Sequence, residues 1–455
     1  MIQSAMKITL QLAIGLSAMT LLAVSAARAQ SVYSTPYTFS TIAGKAGTTG
    51  HADGTNSAAQ FYWPTGIAKD AQGNLYVVDR HENTVRKITP VGTNWVVTTI
   101  AGTAGPSSSD ADGTNGAAAF YDPVGIAADA RGNLYVAENN GSTLRKIAPV
   151  GTNWVVTTIA GQPGNYAWVD GTNGAALFNG PQNVTVDTNS NLYVADSFNS
   201  VIRKITPVGT NWVVTTIAGQ PGQPGYADGT NNQASFDIPY GLALDAAGNL
   251  YVSDDPLVFA GSTIRKITPV GTNWVVSTIA GSAAASGSAD GMNNAALFNS
   301  PLSIALDNAG NLLVADYGNA TLRKLTPAGT NWIVSTIAGT NGTASSADGT
   351  GAGAHFVKPW GATVDSAGNL YVTDFADSTI RLGRNPAPPS LTAAFAAPAG
   401  VVVSWSGTGG FTLQTNGDLT TTNWANYGGS ITTSNGMNNA AIAPLPGNLF
   451  FRLQQ

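Results

Sequence analysis

The residues able to do chemistry in this chain are few, and they form no familiar catalytic motif. There is no cysteine, no Gly-x-Ser-x-Gly nucleophile elbow and no Gly-rich phosphate loop, so nothing indicates thiol, acyl-transfer or nucleotide chemistry. Three histidines are present, His51, His81 and His355. They occupy unrelated places in the sequence pattern, so no three-histidine zinc site is indicated and each is interpreted as a solvated loop residue.

Most of the acidic residues recur at regular intervals. Eighteen of the 25 acids fall into three sets of six equivalent positions. A reaction needs one asymmetric site, so a carboxylate present in every repeat is expected to hold the structure together. The three sets are Asp53, Asp112, Asp170, Asp228, Asp290 and Asp348 in Asp-Gly loops; Asp70, Asp129, Asp187, Asp245, Asp307 and Asp365; and Asp79, Glu138, Asp196, Asp254, Asp316 and Asp374.

These acids lie within a repeat that extends over most of the chain. The pattern Asn-Leu-Tyr/Leu-Val recurs in steps of 59, 58, 58, 62 and 58 residues. This self-similarity predicts an array of one supersecondary unit. The pattern starts at Asn74, Asn133, Asn191, Asn249, Asn311 and Asn369.

Each repeat contains four short β-rich runs separated by turn signals. In the first repeat, Asp70 to Gly73 is typical of a type I turn, and Thr89 to Asn94 contains a second turn with Pro and Gly. Runs such as Leu-Tyr-Val-Val are apolar at successive positions, so both faces of each sheet should be covered. We therefore predict an all-β fold, a radial β-propeller of four-stranded blades.

The ends of the repeat array predict how the ring closes. The last repeat lacks a fourth strand after Arg381, whereas residues 37 to 44 align with the fourth strand of the first complete repeat. A sixth blade built from residues 359 to 382 and 37 to 44 would leave no free sheet edge.

The elements Gly-Ile-Ala-x-Asp, Asn-Leu-Tyr-Val-Ala-Asp, Ile-Arg-Lys-Ile and Thr-Ile-Ala-Gly resemble the NHL repeat family over roughly residues 37 to 384. The resemblance implies a six-bladed propeller. NHL-like propellers include protein-binding modules, RNA-binding modules and enzymes, so the resemblance implies the fold much more strongly than the function.

The repeated cations and tryptophans predict an internal framework. Strand alternation places Arg86 on the face of Ile88 and turns Lys87 away. We expect each repeated arginine to pair with a strand-end carboxylate of its own or the next blade, and the Asp-Gly loops to be Asx-turn caps. Packing is expected for the equivalent aromatics Trp95, Trp154, Trp212, Trp274 and Trp332, with Tyr37 in the sixth place.

Specificity is expected on the face where loops vary. The first-to-second and third-to-fourth strand loops hardly change, whereas the second-to-third and inter-blade loops differ between blades, and blade 4 carries an insertion at residues 255 to 261. This mouth is aromatic and weakly charged, which suits stacking on sugars or gripping a peptide. The alternative is ordinary loop variation without a ligand. The candidate ligand-binding residues are Trp63, Thr65, Arg80, His81, Tyr121, Glu138, Asn139, Gln182, Phe198, Tyr240, Asp255, Tyr317, Trp360 and Phe375.

A metal-dependent enzyme is the alternative at the same mouth. Lactonases of the gluconolactonase type, which are also six-bladed, place a divalent metal at the channel mouth on carboxylate and amide oxygens. By that resemblance, Glu138, Asn183 and Asp254 could hold one divalent metal such as calcium. No ligand spacing supports them, and the favoured interpretation has neither catalytic residues nor a cofactor.

The two ends of the chain differ from the repeats. Lys7, the apolar run from residue 8 to 26 and Ala27-Arg28-Ala29 predict a signal peptide over residues 1 to 29, with a retained membrane anchor as the alternative. The propeller should then occupy residues 30 to 384, a Pro-rich linker residues 385 to 390, and a small β-sandwich-like domain residues 391 to 455.

Cleavage would move the formal net charge from −5 to −7, because Lys7 and Arg28 are removed. A mildly acidic surface argues against nucleic acid or an anionic membrane as partner. The sequence therefore predicts an exported, monomeric binding scaffold, periplasmic, surface-bound or secreted, that takes a polysaccharide or protein ligand on its variable face. The alternative is a metal-dependent hydrolase or lyase.

Overall fold

The computed structural model describes residues 37–105, 109–255 and 261–384, and in the C-terminal part residues 392–396, 400–406, 412–416, 425–434, 437–442 and 450–454. The expected signal peptide or anchor, the expected linker and most of the blade 4 insertion lie outside these residues. The chain divides into two compact units, of which one spans Pro36–Asn385 and the other includes Pro386–Gln455. Within the described ranges, no helix is both long and apolar enough to cross a membrane.

The first unit consists of six antiparallel sheets with the same strand order, which are the six blades. The first, innermost strands are Pro64–Lys69, Pro123–Ala128, Pro181–Val186, Ile238–Leu244, Pro301–Leu306 and Pro359–Val364. The second strands are Leu75–Asp79, Leu134–Glu138, Leu192–Asp196, Leu250–Asp255, Leu312–Asp316 and Leu370–Asp374. The third strands are Thr84–Val91, Thr143–Val150, Val201–Val208, Thr263–Val270, Thr321–Ala328 and Thr379–Arg384. The fourth strands are Asn94–Ala101, Asn153–Gly161, Asn211–Gly219, Asn273–Gly281, Asn331–Ala338 and, in blade 6, Thr38–Ala43.

Each blade also has a fifth strand that the sequence did not predict. The two residues after each Asp of the Asp-Gly loops pair with the fourth strand, as Gly54 does with Val97. These outer strands are Gly54–Thr55, Gly113–Thr114, Gly171–Thr172, Gly229–Thr230, Gly291–Met292 and Gly349–Thr350. Short 3₁₀ helices follow them at Asn56–Ala58, Asn115–Ala117, Asn173–Ala175, Asn231–Gln233, Asn293–Ala295 and Gly351–Gly353, with two more at Ser197–Asn199 and Tyr317–Asn319.

The ring closes as the sequence predicts. The strand Thr38–Ala43 pairs with the third strand of blade 6, with Thr38 opposite Arg384 and Phe39 opposite Gly383. Phe39 is 1% exposed, and its ring packs edge-to-face with Phe356, with the two ring centroids 5.0 Å apart. Each inner strand contacts the inner strands of both neighbouring blades, including the pair from blades 6 and 1, so the ring is continuous.

Neighbouring blades cover both faces of each sheet, as the continuous apolar runs predict. The second strand of blade 1 contributes Tyr76 and Val78 to one core with Phe120 and Ile126 of blade 2. The repeated tryptophans pack as expected, each with its ring edge on a tyrosine of the preceding blade. The pairs are Trp95 with Tyr371, Trp154 with Tyr76, Trp212 with Tyr135, Trp274 with Tyr193, and Trp332 with Tyr251.

The expected pairing of the arginines is confirmed, and the partners lie in the same blade. Arg86 is fully buried, and its guanidinium donates to Asp79 and to Asp53, both at 2.9 Å. It also donates to the carbonyls of Gln60 and Ala52, so one side chain ties the inter-blade loop to the second and third strands. The same arrangement recurs at Arg145, Arg203, Arg265, Arg323 and Arg381.

The Asx-turn interpretation of the Asp-Gly loops was wrong. The Asp53 carboxylate accepts hydrogen bonds from Arg86 and from the backbone and hydroxyl of Thr99, at 2.9 to 3.0 Å. These partners are distant in sequence because the buried guanidinium attracts the carboxylate more strongly than a local turn does.

The C-terminal unit contains two small sheets around one core, in agreement with the predicted β-sandwich-like domain. Trp405 and Val403 of the larger sheet share this core with Leu413 and Phe451 of the smaller one. The larger sheet has the strand order Thr392–Ala396, Gly400–Ser406, Met437–Ile442, Ile431–Ser434, and the smaller one Ala425–Asn426, Thr412–Asn416, Phe450–Gln454.

Candidate functional site

The six inner strands enclose a central channel of about 260 Å³. The second-to-third strand connections and the inter-blade loops meet at the end where these strands begin, which we call the mouth. Gln182, Tyr240 and Trp360, three of the candidate residues, line the channel. Thr65 holds the equivalent position in blade 1, but it is fully buried and its hydroxyl donates to the Val124 carbonyl at 3.0 Å, so it has a structural role.

An aromatic wall forms one side of the mouth. It consists of six rings that touch in sequence: Tyr62, His81, Trp63, Phe375, Trp360 and Tyr317. The ring centroids are 3.7 Å apart for Tyr62 and His81 and 5.2 Å for His81 and Trp63. They are 5.3 Å apart for Trp63 and Phe375, 4.9 Å for Phe375 and Trp360, and 5.5 Å for Trp360 and Tyr317. The wall thus joins blade 1 to blades 6 and 5 across the ring closure.

Trp63 is held in an unfavourable backbone conformation at this wall. Its φ is 60°, in the left-handed region that bulky residues rarely occupy. The Trp63 carbonyl accepts the Arg80 backbone N–H at 3.2 Å, which helps to fix this turn. The conformation costs about 1 to 3 kcal/mol, and the indole that it presents is 40% exposed. The same positive φ occurs at Asp122, Gly180 and Ser300, which also precede an inner-strand proline, so the turn belongs to the blade and blade 1 uses it to present a large ring.

A chain of hydrogen bonds, which we call the polar chain, forms the adjoining side of the mouth. The Arg80 guanidinium lies 5.6 Å above the Trp360 ring and binds both carboxylate oxygens of Asp122, one of them at 2.9 Å. The Asn139 side-chain amide donates to Asp122 at 2.8 Å, and Gln182 donates to Asn139 at 3.0 Å. Arg80 therefore belongs to both sides, and its charge is balanced by Asp122.

Phe198 and Asp255 flank these groups. Phe198 is 48% exposed, and it lies with the Asn139 amide over Gly180, where a Cβ atom would collide with both. Asp255 accepts from the Ser262 hydroxyl at 3.1 Å, and burial raises its pKa to about 6. Asp255 pairs with Ile238 at the start of the blade 4 inner strand, two residues before Tyr240. Burial also raises the pKa of Tyr240, with Asp255 a further cause.

Glu138 and Tyr121 have structural roles within blade 2 rather than roles at the mouth. The Glu138 carboxylate is fully buried, pairs with Arg145 at 3.0 Å and accepts the Tyr121 backbone N–H at 2.8 Å. Burial raises the pKa of Glu138 to about 8.

The residues considered for a divalent metal are not arranged as open ligands. Asp254 is also fully buried and pairs with Arg265 at 3.1 Å, so both it and Glu138 already have a cation partner. Asn183 lines the channel. Among the described residues, no three side chains of His, Asp or Glu are placed to hold a metal ion.

The mouth also contains groups that the sequence reasoning missed. Tyr62, Asp122 and Lys358 lie close to the proline that begins an inner strand, and the Lys358 ammonium is 4.4 Å from the Tyr317 ring. Glu82 lies between two histidines, 3.5 Å from His51 and 3.8 Å from His81. The residue before each of these prolines varies between blades, and this variability could have identified Asp122 and Lys358 as mouth residues. The contacts of Tyr62 and Glu82 depend on the loop conformation, which the sequence does not give.

Comparison with known proteins agrees with this architecture. The NHL repeat model matches residues 298–325, which lie in blade 5. The chain is a six-bladed propeller that contains an NHL repeat in blade 5. A crystal structure of a protein of unknown function from Bacteroides thetaiotaomicron is 25% identical to it, with a TM-score of 0.58, and the match covers 76% of this propeller chain and 75% of the other.

Two further matches cover less of this chain. The chloroplastic protein SUPPRESSOR OF QUENCHING 1 of Arabidopsis thaliana is 29% identical over 281 residues, which are 59% of this chain and 26% of that protein. The propeller chain therefore matches only about a quarter of that relative's length. A gluconolactonase of Xanthomonas campestris is 16% identical with a TM-score of 0.46, covering 72% of this chain and 87% of its own.

Proposed function

We propose that this protein is an exported, non-catalytic binding module that takes a glycan at the mouth of the propeller. The observation that carries the proposal is the exposed Trp63 indole, which a left-handed turn presents within a continuous aromatic wall. The Trp63 indole stacks on Phe375 yet stays 40% exposed, so part of a large aromatic face is free to stack on a ligand.

The polar chain supports a sugar ligand in particular. Sugars present apolar ring faces together with hydroxyl groups, and recognition needs aromatic surface beside fixed hydrogen-bonding groups. The mouth offers both, because the aromatic wall meets the polar chain at Arg80. The charge of Arg80 is balanced by Asp122, so the centre of the mouth suits a ligand without net charge.

The shape of the site favours a glycan over a protein partner. A stable protein interface usually buries about 800 Å² per partner on a broad surface. Here the distinctive groups surround the opening of a narrow channel of about 260 Å³. Such a concave site admits a slender chain more readily than a folded surface.

The proposal is tested by measuring binding to an array of neutral and acidic glycans with wild-type protein and two variants. Trp63→Ala removes an exposed ring from the wall and should weaken binding about tenfold, or about 1.4 kcal/mol. Trp168→Ala is the matched control, because Trp168 is similarly exposed at 51% but is not one of the rings of the wall. It should bind like wild type.

Equal losses in the two variants would show that the wall is not the binding site. If wild-type protein bound no glycan but captured a protein ligand in a Trp63-dependent manner, the mouth would be a protein-binding site instead. Circular dichroism of each variant checks that the fold is intact.

A further inference from the structure

A second exposed aromatic ring stands on the rim of the mouth, apart from the aromatic wall. Phe198 belongs to the second-to-third strand connection of blade 3 and is 48% exposed. Its backbone N–H donates to the Asn179 carbonyl at 3.1 Å, which fixes the connection beside the start of the blade 3 inner strand. The exposed part of the Phe198 ring is therefore held at the rim and is free to stack on a ligand.

Phe198 occupies a rim position that corresponds to that of Trp63. Trp63, Asp122 and Gly180 are equivalent residues of blades 1, 2 and 3, because each precedes the proline that begins an inner strand. Gly180 has no side chain, and the Phe198 ring fills the space where its Cβ atom would lie. Three neighbouring blades therefore place an exposed aromatic ring, a carboxylate and a second exposed aromatic ring in order around the rim.

The polar groups between the two rings are accessible to a ligand. The Arg80 and Asp122 side chains are 23% and 15% exposed. Arg80 binds Asp122 through Nε and Nη2, and no acceptor among the described residues reaches its Nη1. The Asp122 carboxylate accepts three hydrogen bonds, and a carboxylate can accept about four. The pair can thus both donate to and accept from a hydroxyl group.

Asn139 connects this ion pair to the second ring. Its side-chain nitrogen donates to Asp122 at 2.8 Å, and its side-chain oxygen lies beside the Phe198 ring over Gly180. Asn139 is only 8% exposed, so it positions the exposed groups on either side of it. The surface is therefore continuous from the aromatic wall to blade 3. We call it the rim arc, and its exposed members are Trp63, Arg80, Asp122 and Phe198.

The order of groups along the rim arc defines the ligand. Trp63 and Phe198 belong to blades 1 and 3, and the whole of blade 2 lies between them, so a single sugar ring stacked on one cannot also stack on the other. A chain of sugars presents apolar ring faces at intervals, with hydroxyl groups between them, and matches an aromatic, polar and aromatic sequence of contacts. The arc follows the open rim, so such a chain can continue past either ring.

We propose that the rim arc binds an extended, neutral polysaccharide along an internal run of its sugars. Sugar rings stack on Trp63 and on Phe198. The hydroxyl groups of the sugar between them bond to the Arg80–Asp122 pair, which has no net charge. This assignment rests on the proposed glycan-binding function and extends its site from the aromatic wall to blade 3.

The first test measures affinity against chain length. Calorimetry uses cello-, manno- and xylo-oligosaccharides of two to eight sugars with wild type, Trp63→Ala and Phe198→Ala. Wild-type affinity should rise by about tenfold once the chain reaches both rings, because the second contact is then intramolecular, and should level off beyond that length. Phe198→Ala should abolish this rise but leave disaccharide affinity within about twofold of wild type. Trp63→Ala should weaken the binding of short and long chains alike.

The disaccharide is also the control for folding, because a misfolded Phe198→Ala protein would lose affinity for every chain length. Affinity that does not rise with length, or a rise that persists in Phe198→Ala, would overturn the rim arc and leave the proposed glycan-binding function standing. Equal losses of short and long chains in Phe198→Ala would likewise refute a chain that bridges the two rings. Absence of binding to every oligosaccharide in the series and to every glycan of the array would overturn both.

The second test asks whether the ends of the chain matter. The eight-sugar ligand is labelled with a bulky fluorophore at its reducing end, at its non-reducing end, or at both. Each labelled chain should bind wild type within about twofold of the unlabelled one, because only internal sugars contact the arc. Loss of binding on labelling either end would show that a chain end enters the site, and the internal-run assignment would be wrong.

Discussion

Replacing Arg203 with methionine tests the framework that repeats in every blade. The Arg203 side chain is fully buried and donates to Asp196 at 2.7 Å, to Asp170 at 2.8 Å and to the carbonyls of Leu177 and Val169. Arg203→Met removes these bonds and leaves Asp196 as a buried, uncompensated acid. Breaking one side of a buried pair in this way costs about 3 to 5 kcal/mol.

The penalty should depend on pH with a defined sign. Burial raises the pKa of Asp196 from its usual 3.8 to about 6, even though Arg203 opposes the rise. Without Arg203 the pKa of Asp196 moves higher still. Below about pH 5 the acid is protonated in both proteins, so the variant loses only hydrogen bonds. The destabilisation should therefore grow as the pH rises through 6 towards about 8.

Urea unfolding of the full chain, followed by tryptophan fluorescence at about pH 5 and about pH 8, measures both effects. Lys204→Met is the matched control, because it removes the same charge from the next residue of the strand, whose ammonium lies 5.8 Å from the Tyr193 ring. It should cost less than about 1 kcal/mol. Similar losses for the two variants, or an Arg203→Met penalty that does not change with pH, would refute the reasoning.

Three further predictions concern closure, charge and metal. Phe39→Ala should destabilise the propeller by about 3 to 5 kcal/mol, because the Phe39 ring packs the closing strand against Phe356. If urea unfolding showed a decrease in the free energy of unfolding below about 1 kcal/mol, Phe39 would not have this role. Asp110→Asn should stabilise the protein by roughly 1 kcal/mol at alkaline pH, because burial raises the pKa of both Asp110 and Glu138, which share the single cation Arg145. The gain in stability should vanish towards pH 5. A gain that stayed constant in thermal melts across this pH range would contradict this repulsion between the two acids. Treatment with a chelator should leave glycan affinity unchanged within about twofold by calorimetry, whereas a loss reversed by calcium would favour the metal-dependent alternative.

The fold could be predicted from the sequence because the patterns that indicate its strands and turns are local and recur in every repeat. The period of the Asn-Leu-Tyr-Val strands gives the number of blades, and the strand missing after Arg381 identifies residues 37 to 44 as its replacement. The alternation of Arg86 and Lys87 likewise predicts which side chain is buried. The fifth strand escaped prediction because two residues carry no periodicity, and it forms only where the Asp53 carboxylate is drawn to Arg86.

The site could be predicted only in outline. Loop variation indicates that Trp63, Trp360 and Phe375 lie at the mouth, but their stacking depends on blades 1 and 6 becoming neighbours through ring closure. The sequence also placed Glu138 at the mouth, although its side chain turns into the blade towards Arg145. Side-chain direction at the end of a strand follows from the buried partner, which the sequence pattern does not reveal.

The closing strand has a consequence for biosynthesis. Thr38 pairs with Arg384, which is made about 350 residues later, so at roughly 5 to 20 residues per second a ribosome needs about 20 to 70 s to supply the partner. For most of that interval, until residues 349 to 384 have been made, the strand of residues 38 to 43 lacks its neighbouring strands and Phe39 lacks Phe356. The earliest strand of the propeller to be synthesised is thus among the last to be placed, and closure of the ring waits until blade 6 has been made.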